Sequence, residues 1–301
     1  MSELERPSLD RRALGLALTR LANAKASDTA CPGVAADSRA RRIGITGAPG
    51  TGKSTLAGKL ALIRSRRGRL GVLAIDPTSP KSGGAILGDR IRMDDLAGSE
   101  NIYIRSFASR SASDGLTDNL PELLDTMDAF GFDEIILETV GVGQVEHAAR
   151  TQVDTLILVL PPDAGDVVQA MKAGIMEIAD IFAVNKSDMP PAMKMATEIK
   201  RIVALTQRGT AGWVPPVILT SQSDSNSLAT LSEQVDRHLA WLLSSGQHGL
   251  RARERQKYRL RRFLERRMQE VLDRASASFF ELPLGQQMAQ VIATLGERDS
   301  K

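Results

Sequence analysis

The sequence predicts an α/β fold: a doubly wound, mostly parallel sheet with a helix before it and a helical arm after it. Three observations carry this. Seven short apolar runs punctuate the chain from Arg42 to Thr220. Helical stretches separate them, which is how parallel strands are joined. The first run leads through a glycine-rich turn into a helical pattern. Several runs are apolar at every position, as expected of strands covered on both faces.

Residues 9–24 read as a helix, with Leu14, Leu16, Ala17 and Leu21 forming an apolar stripe. Ala26 to Ala40 holds Pro32, Gly33 and many small residues and reads as a linker. The strands are expected at Ile43–Thr46, Leu70–Ile75, Ile102–Arg105, Glu134–Leu137, Thr155–Leu160, Ile181–Val184 and Val217–Thr220. Ser244-Ser245-Gly246 marks a break. A charged helix is expected near Leu250 to Ala275, and a shorter one near Leu284 to Leu295. The domain division is therefore 1–41 for the N-terminal helix and linker, 42–246 for the sheet domain and 247–301 for the arm.

Composition narrows the function classes. The 301 residues are 42% hydrophobic and 25% charged, ordinary for a folded globular chain. The longest apolar run, Thr155 to Pro162, is too short to cross a bilayer, and the acidic start Met1-Ser2-Glu3-Leu4-Glu5 lacks a secretory core. Cys31 is the only cysteine, so a reducing, cytoplasmic compartment is expected. With three histidines besides, the chain is poor in ligands for a zinc or nickel carrier. A formal charge of +3 and few aromatic residues argue against nucleic acid as partner.

Gly47-Ala48-Pro49-Gly50-Thr51-Gly52-Lys53-Ser54-Thr55 matches G-x-x-x-x-G-K-[ST] between a strand and a helix. Glycines let several N–H groups converge on one anion, and the helix N-terminus adds partial positive charge. Lys53 can reach β- and γ-phosphate oxygens, and the Ser54 hydroxyl can ligate Mg. Asn185-Lys186-Ser187-Asp188 follows the run Ile181–Val184 as N-K-x-D. A carboxylate at Asp188 can accept from both N1–H and the 2-amino group of guanine, and adenine offers no such pair. A buried Asp188 left unpaired would discriminate strongly. Lys186 would lie along the base and Asn185 would tie loops together. Ser221 and Gln222, after the last strand, would add contacts to the base.

Three acids could serve Mg and the attacking water. Asp76 ends the second strand, Glu138 ends the fourth, and Asp89 stands in Gly88-Asp89-Arg90. Each could instead be a helix cap or turn residue. Mg takes few carboxylates, several waters and phosphate oxygens, so not all three need ligate it directly. Gly141 and Gly143, before Gln144, would let the loop after Glu138 move when the γ-phosphate leaves.

These residues resemble one family. Asp76-Pro77-Thr78-Ser79-Pro80, the run Gly83 to Met93 and Glu138-Thr139-Val140-Gly141-Val142-Gly143-Gln144 are similar to the MeaB/ArgK GTPases, which include the methylmalonic aciduria type A protein. Ala164-Gly165-Asp166 with Lys172, and Ala179-Asp180-Ile181 before Asn185, extend the likeness over nearly the whole chain. Glu-Thr-Val-Gly in place of Asp-x-x-Gly separates it from Ras-like proteins. The resemblance implies a homodimeric GTPase using GTP and Mg that assists an adenosylcobalamin-dependent acyl-CoA mutase, mainly methylmalonyl-CoA mutase. Such a chaperone gates cofactor loading and protects the mutase. The resemblance also implies that Lys53, Ser54, Asp76, Asp89 and Glu138 form the phosphate and Mg site, Lys53, Asp89 and Glu138 carrying the catalysis. Asp166 and Lys172 would link nucleotide to partner. Pro161 to Val168, Arg105 to Ser109 and Gln222 depart from the family pattern, which bears on the partner's identity.

Between Arg251 and Arg267 nine Lys and Arg residues face two Glu. Leu260, Phe263, Leu264, Met268, Val271 and Leu272 recur there at helical spacing. The helix is then either a basic face packed on its own domain or, as the resemblance favours, a dimerisation arm. Two other functions compete: a transport-system kinase or ATPase, and a GTPase assembling another metalloenzyme.

Overall fold

A computed structural model describes residues 8–28, 40–77, 99–109, 116–139, 144–162, 174–206 and 212–296. Seven strands form one sheet: β1 (Arg41–Thr46), β2 (Leu70–Pro77), β3 (Ile102–Ser109), β4 (Glu134–Thr139), β5 (Thr155–Leu160), β6 (Ile181–Val184) and β7 (Val217–Leu219). Their spatial order is β3-β2-β4-β1-β5-β6-β7, and every pair is parallel. All seven apolar runs are strands. β4 and β5 are buried along their whole length, which is why their sequences show no polar alternation.

The helices are α1 (Arg11–Asn23), α2 (Lys53–Arg64), α3 (Leu120–Ala129), α4 (Gln144–Gln152), α5 (Ile175–Ile178), α6 (Ala192–Thr206), α7 (Ser225–Ser244), α8 (Gln247–Asp273), α9 (Ala277–Phe280) and α10 (Leu284–Gly296). Helices α2 and α7 cover one face of the sheet through Leu56, Leu60, Leu231 and Val235. The opposite face packs α1 and α3 through Leu14, Leu18, Leu123 and Met127. In α1 the inward pair is Leu14 and Leu18, whereas Leu16, placed in the expected stripe, is exposed. Asp10 caps α1 by accepting from Ala13 N. Arg11 and Arg105 then tie α1 to β3, Arg11 donating to the Ile102 carbonyl and Arg105 to the Gly15 carbonyl.

Arg64 ends α2 wholly inside the protein. Its guanidinium donates to both carboxylate oxygens of Glu134 at 2.6 Å, to Ser232 and to Asp236. Burial alone would lower its pKa, but these carboxylates outweigh it and raise the value.

Helix α8 packs back onto the sheet domain with one row of its arginines inward, while Arg253 and Arg261 stay exposed. Arg251 pairs with Asp180, Arg255 with Asp154, Arg259 with Asp125 and Arg262 with Asp118. Tyr258 is buried in the cluster that holds Leu73 and Leu156. Leu260, Leu264 and Met268 are exposed instead. These three members of the apolar stripe read from the sequence face outward, while Phe263, Val271 and Leu272 are half-buried. The boundary at 246 therefore separates elements that share a core. Beyond α8, helix α10 buries none of its residues, and Leu284, Met288 and Ile292 stand outward.

Candidate nucleotide site

β1 is the topological switch point: β4 pairs on one side and β5 on the other. Ligands of open α/β sheets bind beyond the carboxyl end of such a strand. Gly47 to Gly52 occupy that position and pass directly into α2. Gly47 has φ +142°, and a Cβ there would strike the Val159 carbonyl oxygen. Gly52 has φ +88°, and its Cβ would stand 2.5 Å from Asn185 Nδ2. Backbone handedness and close approach both demand glycine at Gly52. Lys53 is buried and curls over the loop, its Nζ donating to the Ala48 carbonyl at 2.8 Å. Thr51 Oγ1 also donates to Ala48, closing the loop on itself.

Glu138 and Asp76 are buried at the carboxyl ends of neighbouring strands. The parallel register sets Glu138 opposite Ile45 of β1 and Ala74 of β2. Ser54 Oγ donates to Glu138 Oε1 at 2.7 Å, so the first turn of α2 and the end of β4 meet at one hydroxyl–carboxylate pair. Thr139 donates to Thr46 beside it, a buried bond that no motif signalled. The donors gathered here are hydroxyl and carboxylate oxygens, the hard set that suits Mg.

The N-K-x-D loop closes the site from the other side. Asn185 is fully buried; its Nδ2 donates to the Thr51 carbonyl at 2.7 Å, and its Oδ1 accepts from Thr220 Oγ1. Lys186 holds a left-handed φ of +56°, unusual for a side chain with Cβ. Its Nζ reaches the Gly50 carbonyl. Asp188 is exposed rather than buried, and Ser221 Oγ donates to its Oδ1 at 3.0 Å. Ser221 therefore fixes the orientation of the exposed carboxylate. Gln222 is exposed beside the loop.

The sequence model of the family described as methylmalonyl Co-A mutase-associated GTPase MeaB matches residues 12–278. The chain belongs to the MeaB family. It is a GTPase and binds guanine nucleotide, as the names of its relatives and the site agree. A protein of Pyrococcus horikoshii named as a GTPase is 43% identical over 216 residues, covering 71% of this chain and 68% of that one. The mitochondrial methylmalonic aciduria type A homolog of Mus musculus is 37% identical over 210 residues, 68% of this chain and 51% of the relative. A crystal structure of an LAO/AO transport system kinase superposes with a TM-score of 0.67 at 22% identity, covering 96% of this chain and 95% of that one, which shows a shared fold.

Within this MeaB-family site the structure brings together the phosphate loop, Asp76, Glu138, Asn185, Lys186, Asp188 and Ser221. Asp89, Gly141, Gly143, Asp166 and Lys172 lie outside the described residues; Gln144 is the first residue of α4. Among the described residues no helix is long and apolar enough to cross a membrane. His147 is exposed, while His238 is fully buried against Asp180, a contact no local pattern announces.

Proposed function

We propose that this MeaB-family GTPase hydrolyses GTP to GDP and phosphate in order to control an adenosylcobalamin-dependent acyl-CoA mutase, first of all methylmalonyl-CoA mutase. It gates loading of the mutase's cofactor and protects the enzyme. The observation that carries this reading is the Asn185–Thr51 bond, which joins a guanine-reading loop to a phosphate loop, in a family named for its association with that mutase. A cytoplasmic setting belongs to the same proposal.

In this reading Lys53 exchanges the Ala48 carbonyl for β- and γ-phosphate oxygens. Ser54, Asp76 and Glu138, with Asp89, would hold Mg, which supplies positive charge at the phosphates. Glu138 and Asp89 orient the attacking water. The loop through Gly141, Gly143 and Gln144 and the segment from Asp166 to Lys172 respond to loss of the γ-phosphate and pass that change to the mutase. The protein acts as a homodimer, joined through the outward apolar rows of α8 and α10. Contiguous exposed apolar rows on neighbouring helices call for a partner surface.

The test is phosphate release from GTP with and without methylmalonyl-CoA mutase. Stimulation by the mutase, and GTP bound at least about tenfold tighter than ATP (~1.4 kcal/mol), are the expected results. Equal binding of GTP and ATP would remove the guanine reading. Release unchanged by the mutase would remove the partner, and phosphate found on a protein would favour the kinase.

A further inference from the structure

At the amino end of β6, away from the phosphate loop, a cavity of about 570 Å³ opens to solvent. Its size falls in the range of sites for small organic ligands. Trp213 and Trp241 form part of its wall, with Met176 and Val203 among the apolar residues beside them, and Arg150 and Arg251 enter it from α4 and α8. The tryptophans bracket His238, whose ring lies 4.8 Å from Trp213 and 5.7 Å from Trp241, so the aromatic wall is braced from behind.

Among the described residues of this wall, two arginines meet one buried carboxylate. Asp180 Oδ1 accepts from both Arg150 at 3.2 Å and Arg251 at 2.9 Å. His238 Nε2 stands 3.3 Å from the same oxygen, off the line of a good hydrogen bond. The neighbouring Asp154 is taken by Arg255. Arg150 and Arg251 thus share the one buried carboxylate that lines the cavity; Glu177, its other acid, is exposed on the rim, and Glu146, buried one turn before Arg150 on α4, lies outside the lining. Arg150 Nη1 is buried and has no acceptor among the described residues. Burial pulls the Arg150 pKa down to about 10 despite Asp180, as expected of a cation that must share its counter-ion. Leaving a buried charged donor without an acceptor is costly, and an incoming anion relieves that cost.

We propose that this cavity is a binding site for a small organic carboxylate with an apolar body, the carboxylate on Arg150 and Arg251 and the body between the tryptophan wall and Val203. A carboxylate supplies the acceptor that Arg150 Nη1 lacks among the described residues. The apolar lining excludes a bare inorganic anion as the best occupant, because water would then be trapped against Trp213 and Trp241. Arg150 is carried by α4, which opens at Gln144 directly after the Glu138 loop, so the site adjoins a helix that the hydrolysis loop leads into.

Trp213 and Trp241 are the only tryptophans in the chain, so its intrinsic indole emission reports on this cavity alone. The experiment titrates the full-length, GDP-bound protein with 4-phenylbutyrate, with its neutral amide and with sodium phosphate. A saturable emission change is expected with the carboxylate, at least about tenfold weaker affinity with the amide, and no saturation with phosphate. Arg150→Gln should weaken the carboxylate at least about tenfold. Val203→Phe, which fills the cavity and leaves every charge in place, should abolish the response. Both variants should keep the GDP affinity, which shows that they fold. No saturation by the carboxylate, equal affinity for acid and amide, tighter binding of phosphate, or a response unchanged in Val203→Phe would each overturn the proposal.

Discussion

Arg255 Nη1 lies 2.6 Å from Asp154 Oδ1, and both side chains are buried where α8 crosses the foot of β5. Asp154 also accepts from the backbone N–H of Arg42 in the central strand. Although burial works against the charged form, Arg255 and Arg42 N–H hold the Asp154 carboxyl below its ordinary range. Arg255→Ala leaves a carboxylate buried without its partner, and the expected cost is about 3–5 kcal/mol of stability. Urea unfolding of the variant measures it. A loss below about 1 kcal/mol would mean that α8 is only loosely docked.

Cutting the chain tests the same helix on a larger scale. Ending it after Gly246 removes Arg251, Arg255, Tyr258 and Arg259 together, so a sharply lowered Tm or failure to fold is expected. Ending it after Arg274 keeps those contacts and removes α9 and α10. That shorter protein should bind GTP normally and, if the outward rows make the dimer, run as a monomer in light scattering. A stable dimer after the second cut would move the interface elsewhere.

Asp180 predicts acid sensitivity. Burial would raise its carboxyl, but His238, Arg150 and Arg251 outweigh it and hold it far below the usual range. Its folded pKa is thus below the unfolded value of about 3.9. The sign follows: the unfolded chain takes up the proton first, so this stability is complete above about pH 5 and is lost as pH falls through and below 4. Asp180→Asn should be less stable at pH 7 by about 3–5 kcal/mol, since two arginines lose a buried counter-ion. It should also show a shallower fall in stability between pH 5 and 3. Denaturant melts at several pH values give both numbers, and parallel curves for the two proteins would count against the argument.

Glu138→Gln keeps an acceptor for Ser54 and removes the charge. GTP affinity should change by less than about threefold and the hydrolysis rate should fall about 100-fold or more, the range for removing a positioned acid or base. Calorimetry and single-turnover phosphate release separate the two. Unchanged turnover would take Glu138 out of the chemistry.

Gly52→Ala places a methyl group against Asn185 Nδ2 on a backbone with φ +88°. The left-handed conformation alone costs about 1–2 kcal/mol, so nucleotide affinity should fall by at least about tenfold. Measured binding of GDP decides it, and wild-type affinity would show that the Asn185 loop can retreat freely.

The sheet was legible because several of its strands are short, buried and apolar, so Thr155–Leu160 and Ile181–Val184 coincide with the structure at both ends. Phosphate-loop and N-K-x-D residues were legible because their chemistry sits in contiguous runs. The direction of α8 was not. Its acidic partners Asp118, Asp125, Asp154 and Asp180 are scattered over distant segments, and nothing local in Arg251 to Arg267 says that arginines turn inward while Leu260 and Leu264 turn out. His238 was hidden for the same reason: its neighbours Thr155 and Asp180 are remote in sequence. The exposure of Asp188 depends on how far its loop extends past β6, which residue type does not encode.

Asn185 has a consequence for exchange kinetics. One buried amide holds the carbonyl of Thr51 and the hydroxyl of Thr220 at once, and Gly52 leaves no gap beside it. The N-K-x-D loop and the phosphate loop are therefore fastened to each other, by Asn185 and by Lys186 on Gly50. In the proposed reading, loosening the base end also disturbs the phosphate loop, so the two ends of a bound nucleotide are expected to let go together. Release of GDP would then follow a single exponential, and a slow second phase would count against this coupling.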